Sequence, residues 1–159
     1  LGKTLNKIPV TSKLLIVLHL LLGIGAVFGG LVLTIDPSGE WIHMPISMLE
    51  NSPFDSFLIP GIILLVILGV FPLIVAFALV TKRPCGIADR LNLFKEKHWA
   101  WAYSLYVSFA LIIWITLEIY FIQGIAIVHV GYIFLGLIIQ AVTLLPSVQK
   151  NLSTGLRVL

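Results

Sequence analysis

Four long apolar runs constrain this chain more than any other feature: Leu14–Ile35, Leu58–Thr81, Trp99–Ile122 and Ile125–Pro146. Each covers about 22–24 residues, and roughly 20 suffice to carry a helix across a bilayer. Hydrocarbon offers backbone N–H and C=O groups no partner, so such runs are expected as helices despite their many β-branched residues. The expectation is an all-α, four-helix transmembrane bundle formed by one membrane domain over residues 1–159. Composition agrees: hydrophobic residues make up 59% and charged residues 11%, against roughly 45–50% and 25% in soluble domains. The first run is too long for the apolar core of a secretory signal, and more runs follow it, so it is expected as a span.

The basic residues set an orientation. Lys3, Lys7 and Lys13 precede the first run. Lys82, Arg83, Arg90, Lys95 and Lys97 separate the second from the third, and Lys150 and Arg157 follow the fourth. The connection between runs one and two holds no Lys or Arg, only the acids Asp36, Glu40, Glu50 and Asp55. The positive-inside rule then puts both termini and the middle connection in the cytoplasm. The net charge of +3 is a topology signal and implies no nucleic-acid partner.

The connections carry their own chemistry. "DPSG" (Asp36–Gly39) has the residues of a type I turn. "SPFD" (Ser52–Asp55) reads as a helix start, with Ser52 as cap and Pro53 in the first turn. "EWIHMPISML" between them is apolar enough to lie at the outer interface as a short helix. In "GIADRLNLFKEKHWAW", Ile87, Leu91 and Phe94 share one helical face, which suits an interfacial helix on the inner side. Trp99 and Trp101 are expected in the aromatic belt. Pro60 predicts a break at the start of the second span and Pro72 a kink within it.

Membrane helices pack through small and polar residues. Such stripes run through His19, Gly23, Ala26 and Gly30, through Gly69, Pro72 and Ala76, through Ser104, Ser108 and Glu118, and through His129, Tyr132, Gly136, Gln140 and Thr143. Gly25 and Gly29 form a GxxxG pair on another face, the spacing of a dimer contact. By depth, His19, Ser104 and Gln140 form an inner polar cluster. Glu118 and His129 lie about equally far from a turn at Gln123–Gly124, so they are expected to meet in the outer half. An ionisable pair inside a span is either a functional site or a structural hydrogen bond.

Tests for known chemistry return little. The histidines do not match in depth, so two spans cannot clamp a haem between them. No HExxH or comparable metal spacing occurs. No GxSxG nucleophile motif or phosphate loop is present either. The single cysteine, Cys85, excludes an intrachain disulfide. No cofactor or metal is expected.

The stretch "DPSGEWIHMPISMLENSPFDSFLIPGIILLVILGVFPL", with "HWAW", "IIWITLE" and "LLPSV" further on, resembles a group of small bacterial four-span membrane proteins. The resemblance runs from Gly29 to Val148 and implies a multi-pass protein of the plasma membrane. The group has no established activity, so it assigns no catalytic residue. The expected function is a non-enzymatic accessory, interaction or lipid-contacting module. Its partners are the bilayer and either a second copy or another membrane protein. The alternative is a small oligomeric transporter or channel using Glu118 and His129. An enzyme built on the outer acids and His43 ranks third.

Overall fold

The computed structural model describes residues 8–154, and Lys3, Lys7 and Arg157 lie outside them. The fold is all-helical, about 75% helix, with no strand among the described residues. Helix α1 is Val10–Ile35, α2 Leu58–Thr81, α3 Gly86–Leu91, α4 Trp99–Ile122, α5 Ile127–Thr143 and α6 Pro146–Asn151. Helices α1, α2 and α4 are long and apolar enough to cross a membrane, whereas α5 has 17 residues.

Helix ends follow hydrogen bonding more closely than they follow hydropathy. Helix α1 begins four residues before the apolar run, because the Lys13 N–H bonds the Pro9 carbonyl whatever its side-chain charge. Helix α5 is shorter than its run at both ends. Ile125 and Ala126 stay outside it, and the Ala126 N–H is taken by the His129 ring. At the other end Leu145 is extended (ψ 135°) because it precedes Pro146, which opens α6 from the first-turn position.

The two proline expectations fare differently. Pro60 causes no break: α2 starts at Leu58, and a proline in the first turn lacks only an N–H that would be unsatisfied anyway. Pro72 acts on the turns before it. It cannot donate to the Leu68 carbonyl, and Leu64–Val70 is wound as a π-helix, with the Phe71 N–H reaching back to Val66. Within that segment Gly69 lies against Val27. A Cβ there would meet the Val27 backbone N at 3.0 Å.

Glycine sets how closely α1 and α2 approach. A Cβ on Gly30 would come within 2.5 Å of the Leu65 backbone N, and one on Gly61 within 2.8 Å of the Leu33 Cβ. Only hydrogen fits at those crossings. On α5, Gly136 does the same against Ile112 of α4. The stripe residues Gly23, Ala26, Gly69, Pro72, Ala76, Ser104, Ser108 and Thr143 are all buried. The opposite faces present Phe28, Ile24, Ile74, Phe77, Ile113 and Phe134 outward, as a lipid-facing surface does.

Two chemically distinct ends result. At one end the Lys82 ammonium donates to the Asn151 carbonyl and side chain (2.9 Å each), Asn151 donates to Ser12, and Thr11 bonds Ser147. Lys13, Arg83, Arg90, Lys95, Lys97 and Lys150 sit on the elements of this basic end. Trp99 and Trp101 are also here. They are no exposed belt, being 6% and 4% exposed, with indole N–H groups donating to the carbonyls of Arg83 and Thr143 at 2.9 and 2.8 Å. An indole that can reach a carbonyl inside the bundle gains more there than at a wet interface. Helix α3 is shorter than the expected interfacial helix. The Asn92 side chain ends it by accepting from the Phe94 N–H and donating to the Lys97 carbonyl. Ile87, Leu91 and Phe94 remain exposed.

The acidic end is closed by the 36–57 connection. The Asp36–Gly39 turn forms as expected, with the Gly39 N–H on the Asp36 carbonyl at 3.1 Å. The expected single helix over "EWIHMPISML" is instead two 3₁₀ turns, Glu40–Ile42 and Ile46–Leu49. His43 in the left-handed region (φ 55°) and Pro45 divide them. "SPFD" starts no helix: the Ser52 hydroxyl bonds the N–H and C=O of Phe54 in a local turn. The apolar loop residues are accounted for by packing. Leu33, Leu49 and Phe57 form a small core with Met44, Met48 and Phe54, and Phe54 meets the Phe121 ring edge-on at 6.1 Å.

Candidate functional site

Beneath that cap, between α1, α2, α4 and α5, lies a cavity of about 230 Å³. Its walls are mostly aliphatic, including Leu22, Leu64, Leu68, Leu111 and Ile115, and Ile42 and Met44 of the cap roof it. Three polar side chains line it: Glu118, His129 and Tyr132. A smaller adjoining space of about 40 Å³ shares Glu118 and adds Trp114, Phe54 and Phe57. A concave, largely apolar space with a few convergent polar groups is the usual form of a small-molecule site.

Each polar group is placed by its own helix. Glu118 is four residues before the end of α4, about 6 Å along the axis from the turn. His129 is the third residue of α5 and reaches back to cap it: its Nδ1 accepts the Ala126 N–H at 3.1 Å. An Nδ1 that accepts carries no proton, so in the neutral ring the proton sits on Nε2. Tyr132 lies one turn further along, its hydroxyl 3.2 Å from where a Gly25 Cβ would be. Trp114 precedes Glu118 by one turn on α4, and its indole N–H is buried without a well-formed hydrogen bond.

The sequence-derived residues distribute as follows. Glu118 and His129 share the cavity wall, but no hydrogen bond joins them among the described residues; the His129 bond runs to its own helix start. Gly25 and Gly29 also line the cavity. Their missing side chains leave room there, opposite Tyr132 and Leu64.

His19, Ser104 and Gln140 do not form a hydrogen-bonded cluster. His19 is fully buried with Nδ1 on the Leu15 carbonyl at 2.9 Å and Nε2 unpartnered. Ser104 returns its hydroxyl to the Ala100 carbonyl at 2.8 Å, and Gln140 is half-buried.

The acids of the 36–57 connection are also dispersed. Asp36 closes its own turn, accepting from the Trp41 N–H at 2.8 Å and from the Ser38 N–H and hydroxyl. These bonds, the Ser38 hydroxyl foremost, hold its carboxyl below the usual carboxylate range. Glu40 and His43 line one open hollow, Glu50 and Asp55 a separate one. Among the described residues no three His, Cys, Asp or Glu side chains come together as metal ligands.

Sequence reasoning found Glu118 and His129 by their charge in apolar runs. It missed Tyr132 and Trp114 as cavity residues, because an aromatic in a span reads as packing. Their positions one turn from His129 and Glu118 were the available signal. Comparison with known proteins adds nothing further: no family model, curated protein or solved structure matches the chain.

Proposed function

We propose that this chain is a four-span module of a bacterial plasma membrane, with both termini cytoplasmic, that holds an apolar, lipid-like molecule in the cavity of its outer half. It performs no bond-making chemistry; its action is to bind, and through binding to support another membrane component. The observation that carries the reading is the roofed, aliphatic cavity with Glu118, His129 and Tyr132 in its wall.

Several features support the placement in the membrane. At 17 residues α5 lies at the short end of the roughly 17–25 that span a bilayer, and it packs along α4 through Gly136. The basic end gathers Lys13, Lys82, Arg83, Arg90, Lys95, Lys97 and Lys150, while Asp36, Glu40, Glu50 and Asp55 mark the other. That asymmetry favours a cytoplasmic basic end. The resemblance to small bacterial four-span proteins points the same way.

The transporter reading draws on the same Glu118 and His129. It is the weaker one, because the basic half beneath the cavity is filled: Leu15, His19, Leu79, Ala100 and Ser104 are all 0–1% exposed. A conducting path within one chain would have to cross that packing, so the oligomeric transporter would need a path between copies.

The test uses quenching by 1-bromooctane in nanodiscs. Trp99 and Trp101 are buried at the far end, so with Trp41 changed to Phe the probe is expected to quench Trp114 above the level given by bilayer partitioning, and Trp114→Phe removes that component. Quenching unchanged by Gly29→Leu, which fills the cavity, would contradict occupancy. A pH-dependent proteoliposome flux abolished by Glu118→Gln would establish the transporter instead.

A further inference from the structure

The polar groups on the cavity wall are specific enough to say what the polar end of its ligand must be. The inference rests on the cavity being a ligand site, as proposed above.

The hydrogen-bonding inventory is short. His129 has committed Nδ1 to the Ala126 N–H at 3.1 Å, so the ring can offer the cavity only Nε2–H, a donor. Glu118 offers carboxyl oxygens, which the Trp114 indole N–H approaches without a well-formed hydrogen bond. Tyr132 offers a hydroxyl with no partner among the described residues, over the bare backbone of Gly25. The wall therefore presents a fixed donor, the His129 Nε2–H, and a carboxyl and a hydroxyl that can each accept, in an otherwise aliphatic space.

We infer that the ligand is an uncharged lipid-like molecule with a hydroxyl head, such as a long-chain alcohol or the free hydroxyl of a neutral lipid. A hydroxyl donates once and accepts twice. It can give its hydrogen to Glu118 while accepting from His129 Nε2–H or Tyr132. A carboxylate or phosphate head would bring a charge into an aliphatic space with no Lys or Arg in its wall. An ammonium head would satisfy Glu118 but turn a cation toward the His129 N–H. A head with no polar atom would leave both groups unpaired in a low-dielectric space. Sites built to hydrogen-bond a hydroxyl reject analogues lacking it more sharply than apolar pockets reject a change of size.

Four ligands of one chain length separate the possibilities: n-octanol, n-octane, octanoate and octylamine, each bound to the full chain in nanodiscs at matched membrane concentration. Apparent affinities come from ligand-dependent thermal shifts. Octanol is expected to bind about tenfold more tightly than octane, and more tightly than octanoate or octylamine. In Glu118→Met the octanol advantage over octane is expected to vanish while octane still binds, which also shows that the variant is folded. Octane and octanol binding equally well would overturn the hydroxyl assignment and leave the apolar cavity standing. Octanoate or octylamine binding best would also overturn it, naming an anionic or cationic head instead. If none of the four shifts the wild type, the ligand site itself falls, and this inference with it.

Discussion

Nδ1 of His129 accepts the backbone N–H of Ala126 at 3.1 Å. One bond therefore does two things: it caps the start of α5 and leaves Nε2 as the ring's remaining polar atom beside the cavity. His129→Asn keeps an acceptor able to cap, whereas His129→Leu removes it. The expected cost of His129→Leu is about 1 kcal/mol, within the roughly 0.5–2 kcal/mol seen for lost caps. His129→Asn should recover most of that. Thermal unfolding of the two variants in one detergent checks the order.

Gly30 faces the Leu65 backbone N, which a Cβ would approach to 2.5 Å, whereas Gly25 faces only the Tyr132 hydroxyl at 3.2 Å. Gly30→Ala must push α1 off α2 and is expected to destabilise by about 1–3 kcal/mol, as overpacking does. Gly25→Ala should change stability by well under 1 kcal/mol. Equal effects at both sites would mean that the α1–α2 crossing is looser than described. Melting temperatures of both variants decide it.

Trp99 and Trp101 are buried and bonded inside the bundle, while Trp41 is 66% exposed at the acidic end. Brominated phospholipids should therefore quench Trp41 and leave Trp99 and Trp101 nearly untouched. Single-tryptophan variants with the other positions changed to Phe provide the readout. Trp101→Phe alone leaves the Thr143 carbonyl without its donor, a loss of roughly 1–3 kcal/mol for a buried group.

These contrasts show what was legible in the sequence and what was not. The bounds of α2 and α4 and the Asp36–Gly39 turn follow from local patterns: apolar length, and turn residues at fixed offsets. The buried stripes followed from the rule that small residues face neighbours. Tertiary partners were not legible. Trp99 and Trp101 carry the composition of an interfacial belt, and only the nearness of the Arg83 and Thr143 carbonyls draws them inward. Gly25 and Gly29 have a dimer spacing, yet they line a cavity because Tyr132 and Leu64 stand opposite. The Pro72 effect was foreseen in kind, but not its form, a π-helix over the preceding residues.

Asp36 gives the acidic end a pH dependence. Its carboxyl is held below the ordinary 3.8, first by the Ser38 hydroxyl and then by the Trp41 N–H. A depressed carboxyl contributes stability that is present above its unfolded value and is lost as pH falls through its folded one. The 36–57 connection should therefore loosen only below about pH 4, the ordinary carboxylate range. Proteolysis of this connection against pH should show that threshold. In Asp36→Ala the connection should be cut readily at neutral pH, with the acid threshold gone.

The claim that the cavity is a lipid-like ligand site is tested most directly by native mass spectrometry of the chain released gently from membranes. The wild type is expected to carry one small apolar molecule per chain, and Gly25→Leu and Gly29→Leu, which fill the cavity from α1, are expected to carry none while still unfolding in one cooperative transition, at the lower temperature that loss of a bound ligand gives. Wild-type chains emerging bare, or both variants retaining the same molecule, would contradict the account.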